Sequence, residues 1–237
     1  MAEASWIPNL SRTDRICIAG LPETGKTTLL KWLTANLVVM SNQRLYIIDP
    51  LDQYAGLEST DDELKKVVRV NPYREVIEQR QKGVVSKLLS SVERLNIIAE
   101  KLHHINNVTL VIEEAEEFLP QGRAIPFYTM HLLHAGRNWG IGIWVVTQRI
   151  QDIDKKFFGR CRHLLLFQCG FDSFDYLSNF LHKDFLRKPL RSEFNKNQYG
   201  VSTLPPHHFL HFDRWTQENN VYVVKGKSLE GEKKLTK

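Results

Sequence analysis

Residues 20–28 read GLPETGKTT, preceded by RICIA (Arg15–Ala19) and followed by LLKWL (Leu29–Leu33). The first eight residues of that stretch fit G-x-x-x-x-G-K-[ST], the pattern of a loop that cradles phosphates. Gly20 and Gly25 permit backbone angles and a close approach that a Cβ would forbid. Successive N–H groups and the N-terminus of the following helix then face the phosphates. The nucleotide-binding set expected from this reading is Gly20, Leu21, Pro22, Glu23, Thr24, Gly25, Lys26, Thr27 and Thr28. Lys26 is expected at the β- and γ-phosphates, and the Thr27 hydroxyl where it can ligate Mg²⁺. Glu23, an unhelpful charge beside a polyanion, is expected to point to solvent. Chance would produce the pattern in roughly one chain of this length in a hundred. Here it also sits where the chemistry needs it, between an apolar strand and a helix.

Outward from the loop, strands and helices alternate. Lys26–Leu37 reads as the helix launched by the loop, and Arg44–Asp49 (RLYIID) as a second strand stopped by Pro50. Val67–Val70 reads as a short third strand. Glu75–Leu102 carries an apolar stripe at three- and four-residue steps, the mark of a helix. Val108–Ile112 (VTLVI), Ile141–Thr147 and His163–Phe167 are apolar on both faces, as buried parallel strands are. Phe127–Arg137 and Phe171–Leu186 read as helices. His208–Asp213 and Asn220–Val224 alternate apolar and polar residues around a polar turn, the pattern of an antiparallel hairpin on the sheet edge. The expected fold is α/β, a three-layer sandwich with a mainly parallel sheet and a C-terminal antiparallel hairpin.

The chain has 237 residues, 42% hydrophobic and 25% charged, which accommodates one large domain with a sizeable core. We expect a single domain over 1–237, with residues 1–13 as an N-terminal extension and 225–237 as a flexible basic tail. No apolar run is long enough to span a bilayer, and the N-terminus lacks the apolar segment of a signal peptide. Cys17, Cys161 and Cys169 sit in or beside apolar runs without a CxxC pair, and are expected to be buried reduced thiols of an intracellular protein. The formal net charge of +5 is mild. It concentrates in Lys183–Gln198 and the Lys-rich end, where a basic face would suit a polyanion.

A second constellation is VTLVIEEAEEFLP (Val108–Pro120). A buried strand ends in adjacent carboxylates, Glu113 and Glu114, and is expected to lie beside the loop-bearing strand. Glu113 is the candidate to hold the metal through its water shell. Glu114 is the candidate general base on the attacking water. Glu116 and Glu117 read as acidic residues favouring a helix N-terminus. Small GTPase switches lack a catalytic acid directly after this strand, and their N-K-x-D signature does not occur here. The acid pair points to ATP hydrolysis.

The third constellation is HAGRNWGIGIWVVTQRIQDID (His134–Asp154). Gln148, at the tip of its strand, can hydrogen-bond the γ-phosphate or the attacking water. At this point the sequence resembles the FtsK–HerA superfamily of DNA-pumping ATPases. The resemblance rests on four blocks in order: GLPETGKTT, YIIDPLDQY (Tyr46–Tyr54), LVIEEAEEFLP, and GRNWGIGIWVVTQR followed by FGRCRHLLLF. They span Ile16 to about Phe167, roughly two thirds of the chain.

The resemblance implies a RecA-like P-loop NTPase core that binds ATP and Mg²⁺, assembles with itself as a ring, usually a hexamer, and threads double-stranded DNA. It assigns Lys26 and Thr27 to nucleotide and metal, Glu113 and Glu114 to the acidic motif, and Gln148 to the sensor position. It places a trans-acting arginine finger on Arg137, with Arg149 and Arg160 as weaker candidates. The family usually carries aspartate where this chain has Glu113. The chain has no room for the N-terminal barrel of HerA helicases or for the membrane segments and winged helix of FtsK translocases. A nearly bare motor looks like the genome-packaging ATPases of membrane-containing, double-jellyroll icosahedral viruses. Such a protein would work in the host cytoplasm and at the virion vertex, with capsid or portal proteins as partners and without stable membrane insertion. The alternatives are a cellular or plasmid-borne DNA pump, and a nucleotide-dependent switch without translocation. His131, His134, His207, His208 and His211 read as core or interface histidines. Trp144 reads as core, and the Gln121–Arg123 loop as a candidate DNA contact.

Overall fold

The computed structural model describes residues 10–39, 43–54, 67–70, 91–179, 181, 204–225 and 228–231. Its strands are β1 (Arg15–Ala19), β2 (Arg44–Ile48), β3 (Val67–Val70), β4 (Val108–Ile112), β5 (Gly142–Thr147), β6 (His163–Leu166), β7 (His208–Asp213), β8 (Glu218–Lys225) and β9 (Ser228–Gly231). They make one sheet in the order β3-β2-β4-β5-β1-β6-β7-β8-β9. The first six strands of that order pair parallel. The last three return antiparallel. The expected hairpin is therefore present, with β9 added outside it in a segment read as tail.

Both faces of the central strands are covered, which is why those strands lack polar alternation. Cys17, Ala19, Leu110, Ile112, Ile143 and Val145 pack in one core with α2 (Ser91–His103) and α4 (Phe127–Ala135). Ile16, Ile18, Val111, Trp144 and Val146 pack on the other side against α1 (Lys26–Leu33). Leu29, Leu30 and Leu33 of α1 are fully buried, each contributing about 1.5–3 kcal/mol. Helix α1 runs on into a π-helical segment, Thr34–Val39, where the sequence read a simple α-helix to Leu37. The three cysteines are buried and unbridged.

One expectation about neighbours fails. The acidic strand β4 does not lie beside β1; the Gln148-bearing strand β5 lies between them. Each strand adds about 4.8 Å, so the acids start about 10 Å from the axis of β1. Parallel pairing keeps the C-terminal ends of all these strands on one edge, and side chains span the gap. At the opposite edge, the backbone of Arg12 crosses Gly142 so closely that a Cβ there would come within 1.9 Å of the Arg12 carbonyl.

The expected helix over Glu75–Ser90, the basic stretch Lys183–Gln198 and residues 1–9 and 232–237 lie outside the described residues. No helix among the described residues is long and apolar enough to cross a membrane.

Candidate active site

The site is built on the C-terminal edge of the parallel strands. β1 turns at Gly20 into the loop, and α1 starts after Gly25, whose φ of 107° belongs to the left-handed region. A Cβ at Gly25 would also meet His207 Nδ1 at 2.7 Å. The loop closes on itself through its own side chains. Lys26 Nζ donates to the carbonyls of Gly20 and Leu21, both at 2.8 Å. Thr24 Oγ1 donates to Leu21 O at 2.8 Å. Thr27 Oγ1 donates to Gln53 Oε1 at 2.9 Å. Leu21, Pro22 and Glu23 are exposed, as expected for Glu23, and Glu23, Gly25, Lys26, Thr27, Thr28 and His207 line an open pocket.

The acids follow β4, on the same sheet edge as the loop that follows β1. Burial lowers the Lys26 pKa, and the charges of Glu113 and Glu114 oppose that shift. Both carboxylates thus lie near enough for their charge to act on the loop lysine. Glu113 is 5% exposed. Burial pushes its carboxyl up to about 7, although a hydrogen bond from the Tyr54 hydroxyl to Glu113 Oε1 acts the other way. Glu114 follows with φ 48°, a left-handed kink at the start of α3 (Ala115–Phe118) that turns its side chain off the strand line. Gln148 Nε2 lies 3.3 Å from each Glu114 oxygen. The adjacency of β4 and β5 brings this pair together.

A second turn joins the same edge. After β2, the buried Asp49 carboxylate accepts the N–H groups of Gln53 and Tyr54, both at 2.9 Å. This clamp aims Gln53 at Thr27 and Tyr54 at Glu113. Gln53, Tyr54 and His207 were not among the candidate residues. The turn lies inside YIIDPLDQY, so its D-P signal was available. His207 has no local signal: it precedes β7, and only the antiparallel return of that strand brings it over the loop. It holds φ 64° there, and its N–H bonds Thr24 O at 2.9 Å. His207 is therefore exposed over the loop and not in the core, one of the two places the sequence reading gave it. His211 does lie in the core, stacked on His163. Glu116 also departs from a pure helix-end role. It is half-buried among groups that include Thr147 and Gln148, and burial raises its pKa.

The arginines separate by edge. Arg149 stays beside the nucleotide loop's edge, 3.4 Å from Asp152 and 3.7 Å from Asp172. Arg137 lies at the opposite edge, after α4 and before β5. It is 4.0 Å from Asp14 and its guanidinium lies over the Trp215 ring at 4.8 Å. Arg162 occupies the other contact to that ring at 4.4 Å, and pairs with Asp213 at 2.9 Å. Arg160 bonds Lys156 O and His134 Nε2. Beneath them Asp14, His163, His211 and Asp213 form a buried network, with His163 bonded to Asp14 at 3.2 Å and to His211 at 3.0 Å. Trp144 is fully buried, whereas Trp139 packs on His103 and His131. Gln121, Gly122 and Arg123 form an exposed turn.

Thr27 and Glu113 offer hard oxygen donors, the type Mg²⁺ takes together with nucleotide phosphates and water. Among the described residues no group of three or more His, Cys, Asp or Glu side chains converges on a metal position. The donor set fits an ion held largely by the nucleotide, not a protein cage.

The genome packaging NTPase B204 of Sulfolobus turreted icosahedral virus 2, solved with AMPPCP, superposes with a TM-score of 0.63. It is 18% identical over 90% of this chain and 98% of that one. This chain has a P-loop NTPase fold. The N-terminal domain of zonular occludens toxin from Neisseria meningitidis shares it, with a TM-score of 0.51 and 15% identity over 91% of this chain and 96% of that one. So does the conjugation coupling protein TcpA of pCW3, solved with ATPγS, with a TM-score of 0.53 and 16% identity over 91% of this chain and 61% of that one. The likeness is one of fold. No protein-family model matches the sequence, and no curated protein matches it.

Proposed function

We propose that this protein is an ATP-hydrolysing, double-stranded DNA translocase of the FtsK–HerA type that works as an oligomeric ring, the hexamer being the family's usual form, and that it packages a viral genome into a preformed capsid. The observation that carries the reading is the Glu114–Gln148 pair on the loop edge, where the Glu114 charge acts on Lys26. Nucleotide binding alone needs no carboxylate oriented by an amide at this edge; hydrolysis does.

In this reading Lys26 exchanges the Gly20 and Leu21 carbonyls for the β- and γ-phosphates, and the loop N–H groups hold the same oxygens. Thr27 and Glu113 would hold Mg²⁺, which would supply positive charge at the phosphates. Glu114 accepts the proton of the water that attacks the γ-phosphorus. Gln148 fixes the direction of the Glu114 carboxylate and links it to β5.

Arg137 cannot serve its own loop. It sits at the other end of β1, whose five residues span about 16 Å. A neighbouring copy can receive it. Charge along the strand axis favours that contact. Arg15, Arg137, Arg160, Arg162 and Arg214 outnumber Asp14 and Asp213 at one edge, and Glu23, Asp52, Glu114 and Glu117 outnumber Lys26 and Arg149 at the other. Head-to-tail contact of such faces is heterologous, the kind that closes into rings. The packaging reading is preferred to a conjugation pump because the packaging NTPase superposes better, with a TM-score of 0.63 against 0.53 for the coupling protein.

The test is ATP hydrolysis by the purified protein with and without linear double-stranded DNA at low salt. Stimulation by DNA, loss in Arg137→Ala, and recovery when that variant is mixed with Glu114→Gln subunits are expected. Turnover indifferent to DNA, at concentrations where the protein oligomerises, overturns the translocase reading.

A further inference from the structure

We propose that the turn after β2 sets the metal side of the site, with Tyr54 and Gln53 acting as positioning residues for Glu113 and Thr27. The inference rests on reading the loop as a Mg²⁺–nucleotide site.

The turn is built to be rigid. Asp49 is fully buried, and its two oxygens each accept a backbone N–H, from Gln53 and from Tyr54. Asp52 takes φ 59° to bring those groups round. The two side chains therefore leave a fixed backbone, the condition for holding a site within a fraction of an ångström. β2 pairs with β4 so that Ile48 faces Ile112, and Glu113 N–H bonds Ile48 O at 3.1 Å. The turn and the first acid are thus locked side by side.

Each contact leaves the metal-side lone pairs available. A threonine oxygen that ligates a cation must direct its hydrogen elsewhere. Gln53 Oε1 takes that hydrogen at 2.9 Å. A carboxylate that bridges to metal-bound water needs one oxygen fixed and the other presented. The Tyr54 hydroxyl, on a fully buried ring, donates to Glu113 Oε1 and leaves Oε2 for the waters. Glutamate has one more rotatable bond than aspartate at this position, and the phenol restrains it. Partners of metal-ligating groups act in this way in metal sites generally.

The measurement is binding of a fluorescent ATP analogue to the full chain while Mg²⁺ is titrated, with a parallel series in EDTA. In Tyr54→Phe and Gln53→Ala, affinity in EDTA is expected to match the unsubstituted protein. The Mg²⁺ concentration at half-effect is expected to rise by about tenfold to a hundredfold. Gln53→Glu, which keeps an acceptor for the Thr27 hydroxyl, is expected to restore it. An unchanged Mg²⁺ midpoint in both variants overturns the inference, even if Tyr54→Phe melts earlier, because a packing role moves stability alone. Should Tyr54→Phe fail to fold, the surface residue Gln53 carries the test. If the unsubstituted protein binds the analogue equally with and without Mg²⁺, the underlying site reading falls instead.

Discussion

Replacing Glu113 by glutamine isolates the energetic cost of keeping a carboxylate under the nucleotide loop. Glu113 is 5% exposed, and burial raises its pKa from 4.5 to about 7. The folded protein therefore binds its proton more tightly than the unfolded chain does. Stability is fully present below pH 4.5 and is lost as pH rises through 7, because ionising Glu113 favours unfolding. The whole shift corresponds to about 3.4 kcal/mol, of which about 2.5 kcal/mol falls between pH 5 and pH 8. In Glu113→Gln the introduced amide oxygen accepts the Tyr54 hydroxyl without titrating, so the variant lacks this contribution while keeping the others. Urea unfolding at pH 5 and pH 8, in EDTA and without nucleotide, should show the unsubstituted protein losing about 2.5 kcal/mol relative to Glu113→Gln. Thermal midpoints should diverge by several degrees, roughly 2–4 °C per kcal/mol for a chain of this size. Parallel pH profiles for the two proteins would refute the reasoning, since they would mean that Glu113 titrates alike folded and unfolded.

The buried His211 should behave in the opposite sense. Burial first, then the neighbouring His163, lowers His211 to about 3, so stability present above pH 6.5 is lost as pH falls toward 3. His211→Asn should be less acid-sensitive by about 2 kcal/mol at pH 5, read from urea unfolding at pH 5 and pH 7; equal losses in both proteins would remove His211 as the cause. Trp215 is 60% exposed and touches the guanidinium groups of Arg137 and Arg162. Trp215→Ala should cost no more than about 1 kcal/mol in stability. It should leave analogue binding intact while lowering DNA-stimulated turnover, and turnover equal to the unsubstituted protein would mean that the ring does not hold Arg137 for its task.

Much of the site was legible in the chain because its chemistry is local. The strand, loop and helix around GLPETGKTT are contiguous, so glycine geometry, lysine and threonine follow one another at fixed spacing. The same holds for Glu113 and Glu114 at the end of a β-branched strand, and for Gln148 at the end of the next. Arg137 was identified only through the family resemblance. The neighbours were less legible. β4 was expected beside β1, and β5 stands between them. Periodicity says that a strand is buried on both faces, but not which strand it pairs with. Gln53 and Tyr54 were present in YIIDPLDQY, yet their targets, Thr27 and Glu113, lie in other segments.

The sequence by itself determined the alternation of strands and helices, the phosphate loop and the acidic strand end, since these depend on side chains a few residues apart. Tertiary structure decided the rest. Parallel pairing of β2, β4, β5 and β1 gathered their ends on one edge, which joined Gln148 to Glu114 and the Asp49 turn to Thr27 and Glu113. The antiparallel return of β7 carried His207 to the loop and Trp215 to the far edge beside Arg137. Such meetings come from packing between segments far apart in the chain, and no local pattern encodes them.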